Sequence, residues 1–355
     1  MNMEIQSKSH AYGVETVSDL DEAVRGAAGN TALVLADRRV CELYPSAFAD
    51  ADQSGRLLKV TASEEQKTYE QLVPLFLQLI DKGVRRHTTL CVVGGGVLQD
   101  IGCFIASVLL RGLRWNLVPT TLLAQSDSCI GSKSSLNIGP YKNQLGTFYA
   151  PHRVLMAFSV LRTLSRDEIR SGLGEVIKLN LIAGSTDFSR LRSRLAAMPD
   201  DPADLAPVVM DCLQIKKAYI EKDEFDEGVR NILNYGHTFG HAFESTTQFA
   251  IPHGIAVTLG ISAATRISER LGWVPAGYAD NLDTFLKTYY APYERELTKV
   301  SLGALQAALG KDKKNVGNGL TCILTRGEGR MEKQALGLTE QVMPWLKEWI
   351  ERLGG

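Results

Sequence analysis

The order of apolar and polar residues divides the chain into two parts of different character. In the first part, short apolar runs rich in β-branched residues alternate with longer stretches whose apolar positions recur at helical spacing. The pattern predicts strands at 31–36, 89–93 and 113–119 and helices at 69–83 and 100–112. Strands that alternate with helices are typical of βαβ units, so this part predicts a mainly parallel sheet.

In the second part the apolar positions follow almost only the helical period. Amphipathic stretches lie at 166–182, 207–223 and 343–353, with few strand-like runs between them. The chain has 355 residues, which exceeds the usual size of one compact domain. The sequence therefore predicts an α/β protein with an α/β domain at 1–163 and a mostly α-helical domain at 164–355.

Composition narrows the classes of function. Hydrophobic residues make up 45% of the chain and charged residues 22%, and the formal net charge is -1. We therefore expect no binding to nucleic acid or to membranes, and any anion must bind at a local cluster. The six cysteines form no CxxC pair, the N-terminus has no apolar signal segment, and no apolar run is long enough to span a membrane. These features favour a cytoplasmic protein with reduced thiols.

A glycine-rich turn follows the predicted strand at 89–93. Gly94, Gly95 and Gly96 open the sequence GGGVLQD, where backbone amides can approach a phosphate at the start of a helix. A dinucleotide fingerprint has a third glycine where this chain has Gln99, so a tight turn without a ligand is the alternative. Asp37 ends the strand LVLAD and suits a ribose hydroxyl, although a helix cap is the commoner role for such a residue.

Three of the six histidines stand close together in the second part. His237 and His241 are four residues apart, so they share a face if this stretch is helical, and His253 follows in a loop-like IPHG. Together they are candidate metal ligands, with ordinary structural histidines as the alternative. Glu175 and Lys178, three residues apart on another predicted helix, place a carboxylate beside an ammonium group; an isolated pair of this kind is more often a surface salt bridge.

A further polar cluster lies in the first part, in QSDS, IGSKSSLN and YKN. Its charged and amide residues are Asp127, Lys133, Lys142 and Asn143, separated by glycine, serine and asparagine. Lysines with an amide donor suit a phosphate group. A solvated loop without a ligand is the alternative.

Several motifs in order resemble the 3-dehydroquinate synthase family, a branch of the sugar phosphate cyclases. The resemblance runs from about Ser63 to Gly260, with a weaker match at KDKKN near Lys311. The motifs are GGGVLQD, LRGLRWNLVPTTLLAQSDS, IGSKSSLN, YKNQLGTFYAP, GLGEVIK, IKKAYIEKDE, GVRNILNYGHTFGHA and PHGIAVTLG. The resemblance implies an N-terminal Rossmann-like NAD-binding domain, a C-terminal α-helical metal-binding domain, and two cofactors: NAD and one divalent metal ion, zinc or cobalt.

The resemblance also assigns roles by position. The residues that match the metal ligands are Glu175, His237 and His253. Those that match phosphate contacts are His241, Lys133, Asn143 and, from a neighbouring subunit, Arg111 at the end of the predicted helix. Ring hydroxyls would be held by Asp127, Lys178 and Asn234, and the substrate carboxylate by Lys216 and Arg230. The positions on the NAD side are Asp37, Glu64, Lys67, Gly94, Gly95, Gly96, Asp100, Thr120, Thr121 and Lys142. Contact of Lys313 or Lys314 with substrate stays open.

The implied reaction is conversion of 3-deoxy-D-arabino-heptulosonate 7-phosphate to 3-dehydroquinate and phosphate, a step of the shikimate pathway to aromatic amino acids. The resemblance implies a homodimer that binds this anionic sugar phosphate and recycles NAD. Three residues depart from the family pattern: Gln99, Ser134 and Ile255. Arg230 and Asn234 favour a substrate with a carboxylate over those of sister cyclases, which act on an amino analogue, sedoheptulose 7-phosphate or glucose 6-phosphate. A metal- and NAD-dependent polyol dehydrogenase and a catalytically silent relative are weaker alternatives.

Overall fold

The computed structural model describes residues 2–139, 141–196, 199–311 and 319–353. Lys313 and Lys314 lie outside these residues. The strands, in chain order, are β1 (Asn2–Gln6), β2 (Ala11–Val17), β3 (Leu33–Asp37), β4 (Leu57–Val60), β5 (Thr89–Gly94), β6 (Arg114–Pro119), β7 (Leu136–Ile138), β8 (Tyr141–Leu145), β9 (Arg153–Ala157), β10 (Gly319–Thr325) and β11 (Met331–Gly337).

The helices connect these strands in the first half and dominate the second half. They are α1 (Leu20–Ala28), α2 (Arg38–Leu43), α3 (Pro45–Gln53), α4 (Tyr69–Asp81), α5 (Gly96–Val108), α6 (Arg166–Ala183), α7 (Ser185–Leu195), α8 (Ala206–Ile220), α9 (His237–Thr246), α10 (His253–Arg270), α11 (Tyr278–Tyr290), α12 (Glu294–Thr298), α13 (Leu302–Gly310) and α14 (Met343–Leu353). Within the described ranges, no helix combines the length and the apolar character that crossing a membrane requires.

Contacts divide the chain into two compact units. The first unit comprises Met1–Ser165 and Pro199–Asp226, and the second unit comprises Arg166–Met198 and Glu227–Gly355. The segment 199–226, which contains α8, thus joins the first unit although it follows part of the second in the sequence. The domain division predicted from sequence character, at residue 163, remains a prediction.

The first unit is built on a seven-stranded sheet in the order β1-β2-β9-β6-β5-β3-β4. β1 pairs antiparallel with β2, and the other neighbours pair in parallel. The central strands β3, β5 and β6 are buried along almost their whole length, which explains their uninterrupted apolar runs. The mainly parallel sheet and these three predicted strands are confirmed.

The helix predicted at 100–112 ends earlier than expected. α5 stops at Val108, and Leu110 and Arg111 have φ of 53° and 67°, in the left-handed region. The prediction that Arg111 ends this helix is therefore wrong, because Arg111 lies in the connection between α5 and β6. The apolar pattern continues through Leu109 and Leu110, so it did not reveal where the backbone changes direction.

The second unit is mostly helical, as predicted, with α10 packed against α6, α9 and α11. It also contains an antiparallel hairpin of β10 and β11, in register from Gly319–Gly337 to Thr325–Met331. β10 is buried, whereas β11 has a single buried residue. A strand with such a polar sequence gives little apolar signal, so the pattern did not predict this hairpin.

Candidate functional site

The three histidines of the second unit come together in the fold. α9 begins at His237, directly after Gly236 with φ of 81°, and His241 lies one turn further along the same helix. His253 is the first residue of α10. One ring nitrogen of each histidine lies within 4.8 Å of those of the other two. The cluster therefore has the spacing of metal ligands, while the assignment of individual ligands stays a prediction.

Glu175 of α6 completes this cluster. Its Oε1 atom lies 3.1 Å from Nε2 of His253 and 3.5 Å from Nε2 of His237. Its other carboxylate oxygen forms an ion pair with Lys178, and the two side chains are only 2% and 3% exposed. The surface salt bridge considered for this pair is therefore wrong, because both charges are buried among polar groups. Imidazole nitrogens with a carboxylate form a donor set that suits zinc or cobalt.

Glu244 is a member of the cluster that the sequence analysis missed. It is 5% exposed, and its Oε2 atom lies 3.1 Å from Nδ1 of His253, which leaves Nε2 facing Glu175. Burial disfavours the charged imidazole, but the carboxylates of Glu244 and Glu175 outweigh this effect and raise the pKa of His253 to about 10. Spacing is the signal that could have revealed Glu244, because this residue follows His237 by seven positions and so shares its helix face.

Two glycines let α6 and α10 approach closely enough to form this cluster. A Cβ atom on Gly174 would lie 2.0 Å from the carbonyl oxygen of Gly254, and one on Gly254 would lie 1.7 Å from the carbonyl oxygen of Ser171. Gly174 directly precedes Glu175, and Gly254 directly follows His253. The close crossing that these glycines allow therefore sets the distance between the Glu175 carboxylate and the His253 imidazole.

The remaining predicted residues of the second unit lie just before α9. Arg230 and Asn234 belong to the 3-10 turn Val229–Asn234. The Arg230 side chain is 6% exposed, and the Asn234 amide donates to the carbonyl oxygen of Asn231 at 3.0 Å. This short turn leads directly into the histidine helix.

In the first unit, Lys216 of α8 contacts Asp127 twice. Its Nζ atom lies 2.5 Å from Asp127 Oδ1 and donates to the Asp127 carbonyl oxygen at 2.6 Å. Lys216 is 7% exposed, and Asp127 belongs to the π-helical turn Ala124–Ser128. Lys133, from the loop that follows, forms an ion pair with Asp226. The structure thus brings Lys216 and Asp127 together. It pairs Lys133 with Asp226, which the sequence analysis did not name.

Four of the predicted NAD residues form one polar network in the first unit. Lys67 is 6% exposed, and its Nζ atom lies 2.7 Å from Asp100 Oδ2 and 4.0 Å from Glu64 Oε1. Lys142 lies 3.7 Å from the same Glu64 oxygen. Asn143, next in sequence, has φ of 52° and donates its backbone N–H to Asn137 at 2.9 Å. Lys142 and Asn143 are therefore held by specific contacts, so the solvated-loop alternative does not describe them.

The glycine turn joins β5 to α5. Gly95 is the N-cap of α5, and its lack of a side chain leaves the first backbone N–H groups of the helix without a side-chain cap. A Cβ atom on Gly95 would lie 2.8 Å from Thr121, and the Thr120 N–H donates to the carbonyl oxygen of Gly94 at 3.0 Å. Because β6 pairs with β5 in parallel, the two threonines and the glycines meet at one edge of the sheet.

Asp37 ends β3 at the same edge, because β3 is the other parallel neighbour of β5. Its side chain accepts a hydrogen bond from the backbone N–H of Arg39 at 2.8 Å and so caps α2. The helix-cap alternative is therefore correct, and contact with a ribose remains a prediction.

Arg111 is the remaining predicted site residue of the first unit. It is exposed in the connection that precedes β6, and within the described residues its side chain makes no hydrogen bond or ion pair. Of the departures from the family pattern, Ile255 is fully buried in α10, and Ser134 is 8% exposed with its hydroxyl 2.8 Å from that of Thr147. The Ile255 side chain is thus excluded from solvent, and the Ser134 hydroxyl has a partner in the first unit.

Comparison with known proteins connects these clusters to a family. Residues 57–171 match the family model described as 3-dehydroquinate synthase N-terminal, and residues 172–315 match the one described as 3-dehydroquinate synthase C-terminal. A curated 3-dehydroquinate synthase of Clostridium beijerinckii is 35% identical over 312 residues, which are 86% of this chain and 88% of that protein.

Two solved structures share the fold. A 2-deoxy-scyllo-inosose synthase complexed with carbaglucose-6-phosphate, NAD+ and Co2+ aligns with a TM-score of 0.87 at 23% identity, covering 98% of this chain and 99% of that one. The 2-epi-5-epi-valiolone synthase ValA of Streptomyces hygroscopicus subsp. jinggangensis 5008, with NAD+ and Zn2+ bound, aligns with a TM-score of 0.82 at 24% identity and the same coverage. At these identities the two structures show only a shared fold. The family models and the curated relative, by contrast, show the family. The chain belongs to the 3-dehydroquinate synthase family.

Proposed function

We propose that the chain is a 3-dehydroquinate synthase, a carbon–oxygen lyase that converts 3-deoxy-D-arabino-heptulosonate 7-phosphate into 3-dehydroquinate and inorganic phosphate. The observation that carries this proposal is the cluster of Glu175, His237 and His253 in a member of this family. The reaction needs no net oxidation, because the hydride taken from one secondary alcohol returns to the same carbon. It would serve the shikimate pathway.

The residues present fit one divalent metal ion, zinc or cobalt. Glu175, His237 and His253 would hold it, and a set of three protein ligands leaves positions open for substrate oxygens. Bound there, the metal supplies a Lewis acid for the hydroxyl and carbonyl oxygens of the substrate. Glu244 orients His253, and His241 is left to bind the substrate phosphate.

The glycine turn and the polar network of the first unit fit NAD, which supplies a transient hydride acceptor when bound. The uncapped N–H groups at the start of α5 suit its pyrophosphate. The residues proposed to hold it are Asp37, Glu64, Lys67, Gly94, Gly95, Gly96, Asp100, Thr120, Thr121 and Lys142.

The remaining proposed residues bind and orient the substrate. Lys133, Asn143 and His241 bind the phosphate, and Asp127, Lys178 and Asn234 hold ring hydroxyls. Lys216 and Arg230 bind the carboxylate. An ammonium and a guanidinium group suit a carboxylate, because both can donate charge-assisted hydrogen bonds to it.

The proposal is tested by incubating the pure protein with NAD, cobalt or zinc, and the heptulosonate phosphate, while phosphate release and NADH absorbance are followed together. We expect stoichiometric phosphate release, a product with the mass of 3-dehydroquinate, and no net NADH. Sedoheptulose 7-phosphate serves as a matched substrate without a carboxylate, and Arg230→Ala should erase the preference between the two. Steady NADH formation from a simple polyol without phosphate release would instead support a dehydrogenase.

We further propose that the enzyme is a homodimer in which Arg111 reaches the phosphate site of the partner subunit. In support, α4 exposes an apolar stripe of Tyr69, Val73, Leu77 and Ile80, each 44–58% exposed. Such a stripe is typical of a surface that another chain covers. Sedimentation should show a wild-type dimer that Leu77→Glu disrupts, whereas Leu43→Glu, at a leucine of α2 that is also exposed, should leave it intact.

Arg111→Ala tests the catalytic part of this second proposal. Loss of a charge-assisted phosphate contact of about 1.5–3 kcal/mol should lower kcat/KM by roughly 10- to 100-fold. Metal and NAD binding should persist, and Arg114→Ala, at the exposed arginine that begins β6, serves as the control. A fully active monomer would contradict this arrangement.

A further inference from the structure

Gln99 occupies the position where the family pattern has a third glycine, and its side chain has a defined partner. It lies in the first turn of α5 and is 6% exposed. Its Nε2 atom donates to the carbonyl oxygen of Ser128 at 2.5 Å, and the hydroxyl of Ser128 donates to its Oε1 atom at 2.7 Å. Both polar atoms of the amide are therefore bound to one residue.

Ser128 is the last residue of the turn that carries Asp127. Asp127 in turn receives Lys216, at its carboxylate and at its carbonyl oxygen. A continuous chain of contacts thus runs from the first turn of α5 through Gln99 and Ser128 to Asp127 and Lys216. All these residues belong to the first unit.

The side chain of Gln99 takes no part in the glycine turn, where a third glycine would act. Its backbone N–H is already bonded to the carbonyl oxygen of Gly95 at 3.0 Å, inside the helix. The helix starts at Gly96, so the uncapped N–H groups precede Gln99. The amide is directed at the turn of Asp127 and does not fill the glycine turn.

We infer that Gln99 is a positioning residue for the Asp127–Lys216 pair, and that α5, the helix proposed to hold NAD, thereby fixes the Asp127 carboxylate that would bind substrate. This inference rests on the proposed function for the roles of Asp127 and Lys216. A two-point amide contact holds both the hydroxyl and the carbonyl of Ser128, the residue that directly follows Asp127. A glycine at position 99 offers no such contact.

Substitutions at position 99 separate this role from general stability. Gln99→Leu keeps most of the volume and removes both hydrogen bonds, so kcat/KM should fall by roughly 10- to 100-fold. The dissociation constant of NAD, measured by calorimetry without substrate, should change by less than about threefold, because the glycine turn is untouched. Equal losses in NAD affinity and in kcat/KM would overturn the inference, because Gln99 would then serve the cofactor.

Gln99→Glu adds a signature that a structural role would not produce. The ionised carboxylate opposes the carbonyl oxygen of Ser128, whereas the protonated carboxyl group can donate to it as the amide does. The ratio of variant to wild-type kcat/KM should therefore rise as pH falls, since burial raises the pKa of an introduced carboxyl group. The same ratio for Gln99→Leu should stay flat with pH. A flat ratio for both variants would contradict the inference.

A double-mutant cycle in urea unfolding tests the contact without any turnover. Gln99→Leu and Ser128→Ala should be non-additive, whereas Ser107→Ala, which removes a hydroxyl bonded only within α5, should be additive with Ser128→Ala. Failure of the wild type to release phosphate would contradict the proposed function alone. Additive behaviour of Gln99→Leu with Ser128→Ala, or wild-type kinetics of Gln99→Leu in an active enzyme, would overturn the inference alone.

Discussion

Glu244 shows how a residue that is not a proposed metal ligand can contribute to metal binding. Its carboxylate fixes Nδ1 of His253, so that Nε2 of the same ring faces Glu175. Glu244→Gln should raise the dissociation constant for zinc or cobalt by about 10- to 100-fold, because an outer carboxylate orients a ligating imidazole and increases its basicity. Competition with a chelator measures this constant. Asp283→Asn, which alters a carboxylate paired with Arg266 in the same unit, is the control and should bind metal normally.

His237→Ala and His253→Ala calibrate that experiment, since each should reduce the metal content of the purified protein to well below one ion per chain. Undiminished metal in either variant would show that the ligand assignment is wrong. If instead these two variants lose the metal while Glu244→Gln binds it as the wild type does, the orienting role of Glu244 would be contradicted.

Sequence spacing predicted part of this cluster and not the rest. His237 and His241 are one helical turn apart, so their proximity follows from helix geometry alone. The position of Glu175 relative to His253 depends on how α6 and α10 cross, and no local pattern encodes that crossing. The family resemblance pointed to Glu175, whereas Glu244 had only its helix spacing and was missed.

At the scale of elements, the glycines between α6 and α10 decide whether the cluster can form. Gly174→Ala places a Cβ atom 2.0 Å from the carbonyl oxygen of Gly254, which forces the helices apart. The unfolding free energy should fall by about 1–3 kcal/mol, and metal binding should weaken as Glu175 moves from His253. Urea unfolding and metal titration of one preparation measure both effects.

The matched control for this helix substitution is Gly303→Ala. Gly303 lies within α13, where an added Cβ atom would meet no atom within 4 Å. Alanine in an unobstructed helix should raise stability by about 0.5–1 kcal/mol, because glycine has the larger backbone entropy in the unfolded chain. Equal destabilisation at both positions would show that close packing at Gly174 is not the cause.

The sequence predicted correctly the strands that are buried on both faces of the sheet. It failed where the apolar pattern does not follow the course of the backbone. β3, β5 and β6 are buried on both faces, so their apolar runs were visible in the sequence. The end of α5 was missed because Leu109 and Leu110 continue the apolar pattern through a left-handed turn. The hairpin of β10 and β11 was missed because β11 exposes most of its polar residues.

For the molecule as a whole, the six cysteines should be unreactive in the native state. All six are buried, and burial raises the pKa of Cys41 to about 11 and those of Cys91, Cys103 and Cys129 to about 12. The thiolate is the reactive form, so a thiol reagent at pH 8 should modify the native protein only slowly and all six thiols after unfolding. Rapid modification of one or more thiols in the native protein would contradict this burial.

Stability should fall as the solution is acidified from about pH 6.5 towards pH 4. Burial, together with neighbouring His10 and Arg114, lowers the pKa of His152 from 6.5 to about 4 in the folded protein. Between these values the unfolded chain binds more protons, so stability present above pH 6.5 is lost as pH falls through the folded pKa. Urea unfolding of His152→Gln should show a shallower pH dependence in this window, and an unchanged slope would rule out this contribution.

The return of the chain to the first unit at Pro199–Asp226 has a consequence for synthesis on the ribosome. The backbone N–H groups of Gln6 and Lys8 donate to Glu221 and Glu224, at 2.8 and 2.6 Å. At a translation rate of about 5–20 residues per second, the first strand would wait roughly 10–40 s for these carboxylates to be made. During that interval the nascent chain carries an incomplete sheet unit, so β1 and the turn that follows it lack these two contacts until residue 224 has been made.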